Sequence, residues 1–146
     1  MIVLDTNVIS ELTRPAPSDR VMAWVDSQDD VAITATTVAE LLYGVARLPD
    51  GVRKSRLTDG VQEMLDGPLR DKVLAFDRTA AAHYAEIVTG RDQVGRPIAM
   101  ADAQIAAICR ARGAALGTRN VRDFESAGIA VINPWDHPDD TAEPLS

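Results

Sequence analysis

The sequence predicts an α/β domain with a central, mainly parallel sheet and helices on both faces. Three observations carry that expectation. Short apolar runs alternate with longer segments whose apolar residues recur every three or four positions, the pattern of strand, helix, strand, helix. The short runs are apolar throughout, as strands buried on both faces are. The first of them, Ile2-Val3-Leu4, stops abruptly at Asp5-Thr6-Asn7, a carboxylate followed by two small polar residues. Ligands of open α/β sheets bind outside the carboxyl ends of the strands, so Asp5 stands where a site is expected.

The elements follow in order. Strand 2–4 leads into a short helix over Val8–Leu12, stopped before Pro15. Ser18 caps a second helix whose apolar face is Val21, Met22, Trp24 and Val25. Val31-Ala32-Ile33 is a second strand. Thr37 opens a helix with Val38, Leu41, Leu42, Val45 and Leu48 inward, ended by Pro49-Asp50-Gly51. Residues 52–66 form a helix closed by Gly67-Pro68. Val73-Leu74-Ala75-Phe76 is a strand ending in Asp77, and residues 78–93 are helical around Tyr84, Ile87 and Val88. After the Gly95-Arg96-Pro97 loop comes an alanine-rich helix over 99–112, ended by Gly113. Ala114–Gly117 is a strand leading to Thr118, Val121–Ala127 a short helix stopped by Gly128, and Ile129–Ile132 the last strand.

Length and composition bound the function. The 146 residues suit one domain, and 46% hydrophobic with 25% charged residues is an ordinary soluble balance. A single cysteine, Cys109, allows neither an intrachain disulfide nor a thiolate metal cluster, and its apolar neighbours mark it as a small core side chain. No signal peptide and no membrane span are expected, and a cytoplasmic setting is the default. The net charge is −7, of which Asp136, Asp139, Asp140 and Glu143 in the last thirteen residues supply −4. The domain is read as residues 1–135, followed by an acidic, mobile tail over 136–146. Such a charge excludes nucleic-acid binding through a broad basic surface.

Polar groups at element edges are the candidate site. Asp5 would serve as a helix cap, although Thr6 and Asn7 would serve equally well. Thr37-Val38-Ala39-Glu40 has the spacing of a capping box, which accounts for Glu40 while still leaving it at the ligand edge. Asp102 shares a helical face with Ile105, Ala106 and Cys109, and a charge on a buried face is paired, metal-bound or stabilised by a helix start. The alanines at 99, 101, 103, 106 and 107 let elements approach it closely. Clustered carboxylates repel and raise one another's pKa, a penalty that a divalent cation removes. Oxygen-only donors suit Mg²⁺ or Mn²⁺, and neither His83 nor His137 has zinc-ligand spacing.

These residues resemble the PIN-domain family, and more closely the VapC-type toxins of bacterial toxin–antitoxin pairs, including the FitB-like branch. The matching blocks are Leu4-Asp5-Thr6-Asn7-Val8-Ile9-Ser10-Glu11, Thr37-Val38-Ala39-Glu40-Leu41, Ala101-Asp102-Ala103-Gln104-Ile105-Ala106-Ala107, Thr118-Arg119-Asn120-Val121-Arg122-Asp123-Phe124 and Ile132-Asn133-Pro134-Trp135. They occur in family order and extend over residues 1 to about 137. The resemblance implies a three-layer α/β/α fold and a metal-dependent endoribonuclease. It also implies a homodimer held inactive by a small VapB-like antitoxin, with operator DNA bound only through that complex. Carried over, the metal-site acids are Asp5, Glu40 and Asp102. The family's fourth acidic position falls on Asn120, an amide that adds no charge, so one firm metal site is expected rather than two. Asp123 either compensates in part or sits on the outer face of the short helix, and Thr6 and Thr118 offer hydroxyls for metal-bound water.

The expected chemistry is Mg²⁺-assisted attack of water on an RNA phosphodiester, with Asp5, Glu40 and Asp102 holding the ion. Arg14, Arg119 and Arg122 flank the site as phosphate contacts, weighed against ordinary solvated arginines. Trp24 and Trp135 are expected to pack rather than stack bases, and Leu42 and Tyr43 to line either a partner groove or the core. Two alternatives were weighed. A phosphatase forming an aspartyl phosphate fits poorly, because Asn7 stands where such enzymes have a second Asp. The other is a non-catalytic partner that acts chiefly in an antitoxin–operator complex.

Overall fold

The computed structural model describes residues 1–136. Five parallel strands form one sheet in the order β3-β2-β1-β4-β5, from β1 (Ile2–Leu4), β2 (Val31–Thr34), β3 (Val73–Leu74), β4 (Ala115–Gly117) and β5 (Val131–Ile132). The helices are α1 (Thr6–Leu12), α2 (Asp19–Asp26), α3 (Ala35–Ala46), α4 (Val52–Asp66), α5 (Arg78–Gln93) and α6 (Met100–Arg112). The acidic tail from residue 137 onward lies outside the described residues.

Period-two alternation along the strands builds two cores. Ile2, Leu4 and Ile33 pack on one face with Val8, Ile9, Trp24, Leu41 and Val61 of α1 to α4. Val3, Ala32 and Leu116 pack on the other with Ile87 of α5 and Ile105, Ala106 and Cys109 of α6. Three layers result, as expected. The chain leaves β1 for β2 on one side and reaches β4 on the other, so the strand order reverses between β1 and β4. That reversal opens a crevice at the carboxyl ends of the two strands.

Several boundaries differ from the sequence reading, each for a local reason. Helix α1 starts at Thr6, not Val8, because Asp5 is its N-cap and accepts the Thr6 N–H. Helix α3 starts at Ala35, capped by Thr34, whose hydroxyl oxygen accepts the Thr37 N–H at 3.0 Å. Thr37 is therefore a buried first-turn residue, and the capping box with Glu40 does not form. Leu42 was expected inward but is 47% exposed, because Leu41 takes the core position on this turn. Strand pairing in β3 stops at Leu74, and β5 begins only at Val131. The expected helix over 121–127 is a single 3₁₀ turn, Val121–Phe124, cut off by Ser126 with φ 62° and Gly128 with φ 77°.

One close approach depends on a missing side chain. A Cβ at Gly117 would lie 2.6 Å from Cη2 of Trp24, which packs across β4 from α2. Gly117→Ala is expected to lower folding stability by about 1–3 kcal/mol through this overlap, read by urea denaturation followed by tryptophan fluorescence. A variant as stable as the parent would show that Trp24 is free to move aside.

Candidate active site

Register places the first two site residues. Leu4 pairs with Gly117 across β1 and β4, so Asp5 and Thr118 emerge side by side from adjacent strands. Asp5 is 5% exposed, and its Oδ2 accepts the Thr118 hydroxyl at 2.7 Å while Oδ1 accepts the Thr6 N–H at 2.8 Å. Burial nevertheless dominates and raises the Asp5 pKa above that of an ordinary aspartate, against the lowering effect of these two donors.

Thr118 is a junction. Its oxygen also accepts the Asn120 N–H at 3.0 Å and the Asn7 side-chain amide at 3.2 Å. Asn7 completes the tie by accepting the Arg119 N–H at 3.1 Å. The turn after β1 and the turn after β4 are thus stitched together around the Asp5 carboxylate. Sequence reasoning took Asn7 as a motif residue, an alternative cap and the position where a second Asp is missing, and did not anticipate this tie.

Topology brings the other acids to the same edge. Helix α6 runs back to the start of β4, so its first turn lies at the carboxyl end of the sheet and carries Asp102. Asp102 is half-buried, and its pKa is pushed up to about 6, first by burial and then by the charges of Asp5, Asp123 and Glu40. Arg91 pulls it the other way. Glu40, on α3, accepts the Thr6 hydroxyl at 2.9 Å. Asp5, Thr6, Glu40, Asp102 and Asn120 all line one cavity of about 760 Å³.

The remaining expected residues divide. Asp123 is exposed on the 3₁₀ turn and does not line the cavity, yet its charge reaches Asp5 and Asp102. Arg14 and Arg119 line the cavity, whereas Arg122, expected to flank the site with them, is exposed on the 3₁₀ turn and does not line it. Arg53 of α4 lines the cavity in addition and was not anticipated from sequence. Arg14 is ion-paired to the buried Glu11 at 3.0 Å. The Ser18 N–H on that carboxylate is the main cause of its lowered pKa, ahead of the Arg14 hydrogen bond.

Arg91 is the second group that sequence reasoning passed over. It sits one turn beyond Ile87 on the buried stripe of α5, and a charge on an apolar stripe was the available signal. Its guanidinium donates to the carbonyls of Arg96, Asp123 and Glu125 at 2.6, 3.0 and 2.9 Å. It thereby pins the turn that carries Asp123. Arg91→Met leaves those carbonyls without their donor and is expected to lower stability by on the order of 3 kcal/mol in chemical denaturation, with Arg91→Lys in between. A neutral Arg91→Met would mean the turn is held from elsewhere.

The donor set fits a hard divalent cation that keeps much of its water. All candidate ligands are oxygen, and among the described residues no Lys or Arg is ion-paired to Asp5, Glu40 or Asp102. Among the described residues no three His, Cys, Asp or Glu side chains stand close enough to form a ready-made cage. One or two carboxylates plus water suffice for Mg²⁺, whereas Zn²⁺ favours histidine nitrogen or cysteine sulfur, which this acid set lacks.

A family model described as PIN domain matches residues 2–129. The chain belongs to the PIN-domain family. This PIN domain is 43% identical over 137 residues to Toxin FitB of Neisseria gonorrhoeae, a match covering 92% of this chain and 99% of that protein. VapC ribonuclease Y4jK of Sinorhizobium fredii is 41% identical over 138 residues, covering 93% and 99%. Among solved structures, FitAB bound to an IR36 DNA fragment matches with a TM-score of 0.86 at 41% identity, covering 96% of this chain and 99% of that chain. The five-stranded parallel sheet and its flanking helices are therefore a PIN fold.

The acids of this PIN domain make its stability depend on pH. Folded Asp102 holds its proton up to about pH 6, against about 3.9 for an unfolded aspartate. The folded state binds that proton more tightly, so stability falls as pH rises through this window, and the penalty is complete above it. Asp5 acts in the same direction. In chelator, Asp102→Asn should be more stable than the parent at pH 7.5, by on the order of 1–2 kcal/mol after allowing for solvent screening of a half-buried group. The difference should shrink at pH 5; urea titrations showing the same difference at both values would contradict this.

Proposed function

We propose that this chain is a metal-dependent endoribonuclease, the toxin of a type II toxin–antitoxin pair. The observation that carries the reading is the oxygen-only acid set at the β1/β4 crevice, without an ion-paired Lys or Arg among the described residues, lining a cavity that also holds arginines. The likeness to a protein named VapC ribonuclease supports RNA as substrate, and the cytoplasm is the setting that belongs to this reading.

Asp5, Asp102 and Glu40 would hold Mg²⁺, with Mn²⁺ as an alternative. When bound, the ion polarises a phosphoryl oxygen and lowers the pKa of an attacking water. The chain's own residues supply placement. The Thr118 hydroxyl and the Thr6 N–H fix both oxygens of Asp5, and the Thr6 hydroxyl fixes Glu40. Asn120 lines the cavity as a neutral amide, able to orient water without adding charge. Arg14, which lines the cavity, would meet a phosphate flanking the one that reacts.

The reading extends to assembly. Leu42 and Tyr43 of α3, 47% and 68% exposed, offer apolar surface to a second copy or to a VapB-like antitoxin. A net charge of −7 disfavours direct DNA binding, and the likeness to FitAB bound to a DNA fragment supports DNA contact made as part of a complex with an antitoxin. That same likeness favours a second reading, in which the chain chiefly builds such a complex and cleaves weakly.

Purified protein given RNA should cleave it with Mg²⁺ and stop in EDTA. Asp5→Asn and Asp102→Asn should each lose more than the roughly 10–100-fold that supporting residues of metal sites carry, with unchanged circular dichroism. Cleavage that survives EDTA or Asp5→Asn would sink the mechanism. DNA binding with a partner, and no cleavage with any divalent ion, would leave the second reading.

A further inference from the structure

The acid chemistry leaves one feature at the cavity rim unused. Arg119 places its guanidinium carbon over the indole of Trp135, 4.8 Å from the ring centroid. Both side chains line the cavity that holds Asp5 and Asp102. The pair is anchored from both sides. The Arg119 N–H donates to Asn7 Oδ1, part of the network around Asp5. The Trp135 N–H donates to Asn133 Oδ1 at 2.9 Å, and its carbonyl accepts from Arg20 at 3.0 Å. The indole rests on the apolar cluster beneath α1 to α4.

Arg119 differs from Arg91 and Arg14, which already have polar partners. Arg91 is buried and donates to three carbonyls, and Arg14 is paired with Glu11. Arg119 is exposed, and among the described residues its guanidinium has no carboxylate in ion-pair contact. The guanidinium carbon sits over the Trp135 ring, and the exposed Arg119 side chain lines the cavity beside it. Unpaired bases stack on aromatic rings and on guanidinium planes alike. Stacking also gives an acidic protein affinity that does not depend on a basic surface, which a chain of net charge −7 lacks.

We propose that Arg119, backed by Trp135, is a stacking platform for one unpaired RNA base next to the phosphate that reacts. The proposal rests on the ribonuclease reading and deepens it, from RNA in general to single-stranded RNA read by shape at one position. Arg119 directly follows Thr118, which is bonded to Asp5, so the platform serves a nucleotide adjoining the reacting phosphate rather than a remote one.

The test uses the full chain with Mg²⁺ and an oligoribonucleotide it cleaves, alongside versions lacking the base at each position flanking the cut. One abasic position should raise KM roughly 10-fold for the parent protein. Arg119→Lys, which keeps the charge but loses the plane, should raise KM similarly on intact RNA and add nothing on the RNA abasic at that position. Trp135→Leu should behave like Arg119→Lys, and Trp135→Phe should recover most of the loss. If Trp135→Leu fails to fold, the Arg119→Lys comparison decides alone. Arg119→Lys with the parent's KM would overturn the proposal and leave a simple phosphate contact. So would insensitivity to every abasic position, or an Arg119→Lys loss that persists on each abasic RNA. No RNA cleavage by the parent protein at all would instead remove the ribonuclease reading, and the platform with it.

Discussion

The hydrogen bond from Thr118 to Asp5 is the contact around which the site is organised. It exists because β1 and β4 are parallel neighbours in a register that sets Leu4 against Gly117. The same bond makes a buried carboxylate tolerable, since a charge in that position without donors would be strongly disfavoured. Through Thr118 the chain then reaches Asn7, Arg119 and Asn120. Two turns far apart in sequence become one rigid edge.

That edge is in tension by construction. Asp5, Glu40, Asp102 and Asp123 all act on one small region, and burial raises Asp5 and Asp102 further. The fold meets part of this cost with Arg91, whose buried charge lowers Asp102 while its guanidinium holds the 3₁₀ turn. The rest is left standing. Sites that bind cations are built this way, with repulsion in the empty state that a ligand relieves. Asn120 in place of a carboxylate keeps that repulsion from growing.

The cavity is not lined by acids alone. Leu41, Val45 and Leu57 line it as well, with arginines contributed by three different segments, at positions 14, 53 and 119. It therefore offers groups that suit a hard cation together with groups that suit anions and flat apolar surfaces. The chain's overall acidity makes such local arrangement, rather than net charge, the basis of any selectivity.

The sequence by itself determined the fold class, the order of the elements and the acids at strand and helix edges. Hydrophobic periodicity is local, and a strand that ends in Asp5 reads the same in any context. Where caps compete, it erred: Thr34 and Thr37 are equally good caps by composition, and only the end of β2 selects Thr34. It also drew the helix after Asn120 too long, because the positive φ of Ser126 and Gly128 breaks a helix that the spacing allows. Tertiary structure alone decided that Asp5 meets Thr118, that Asn7 spans two turns, and that Arg91 turns inward to three carbonyls. Those contacts join residues from 2 to 113 positions apart, and strand register and helix packing, which no local window contains, bring most of them together.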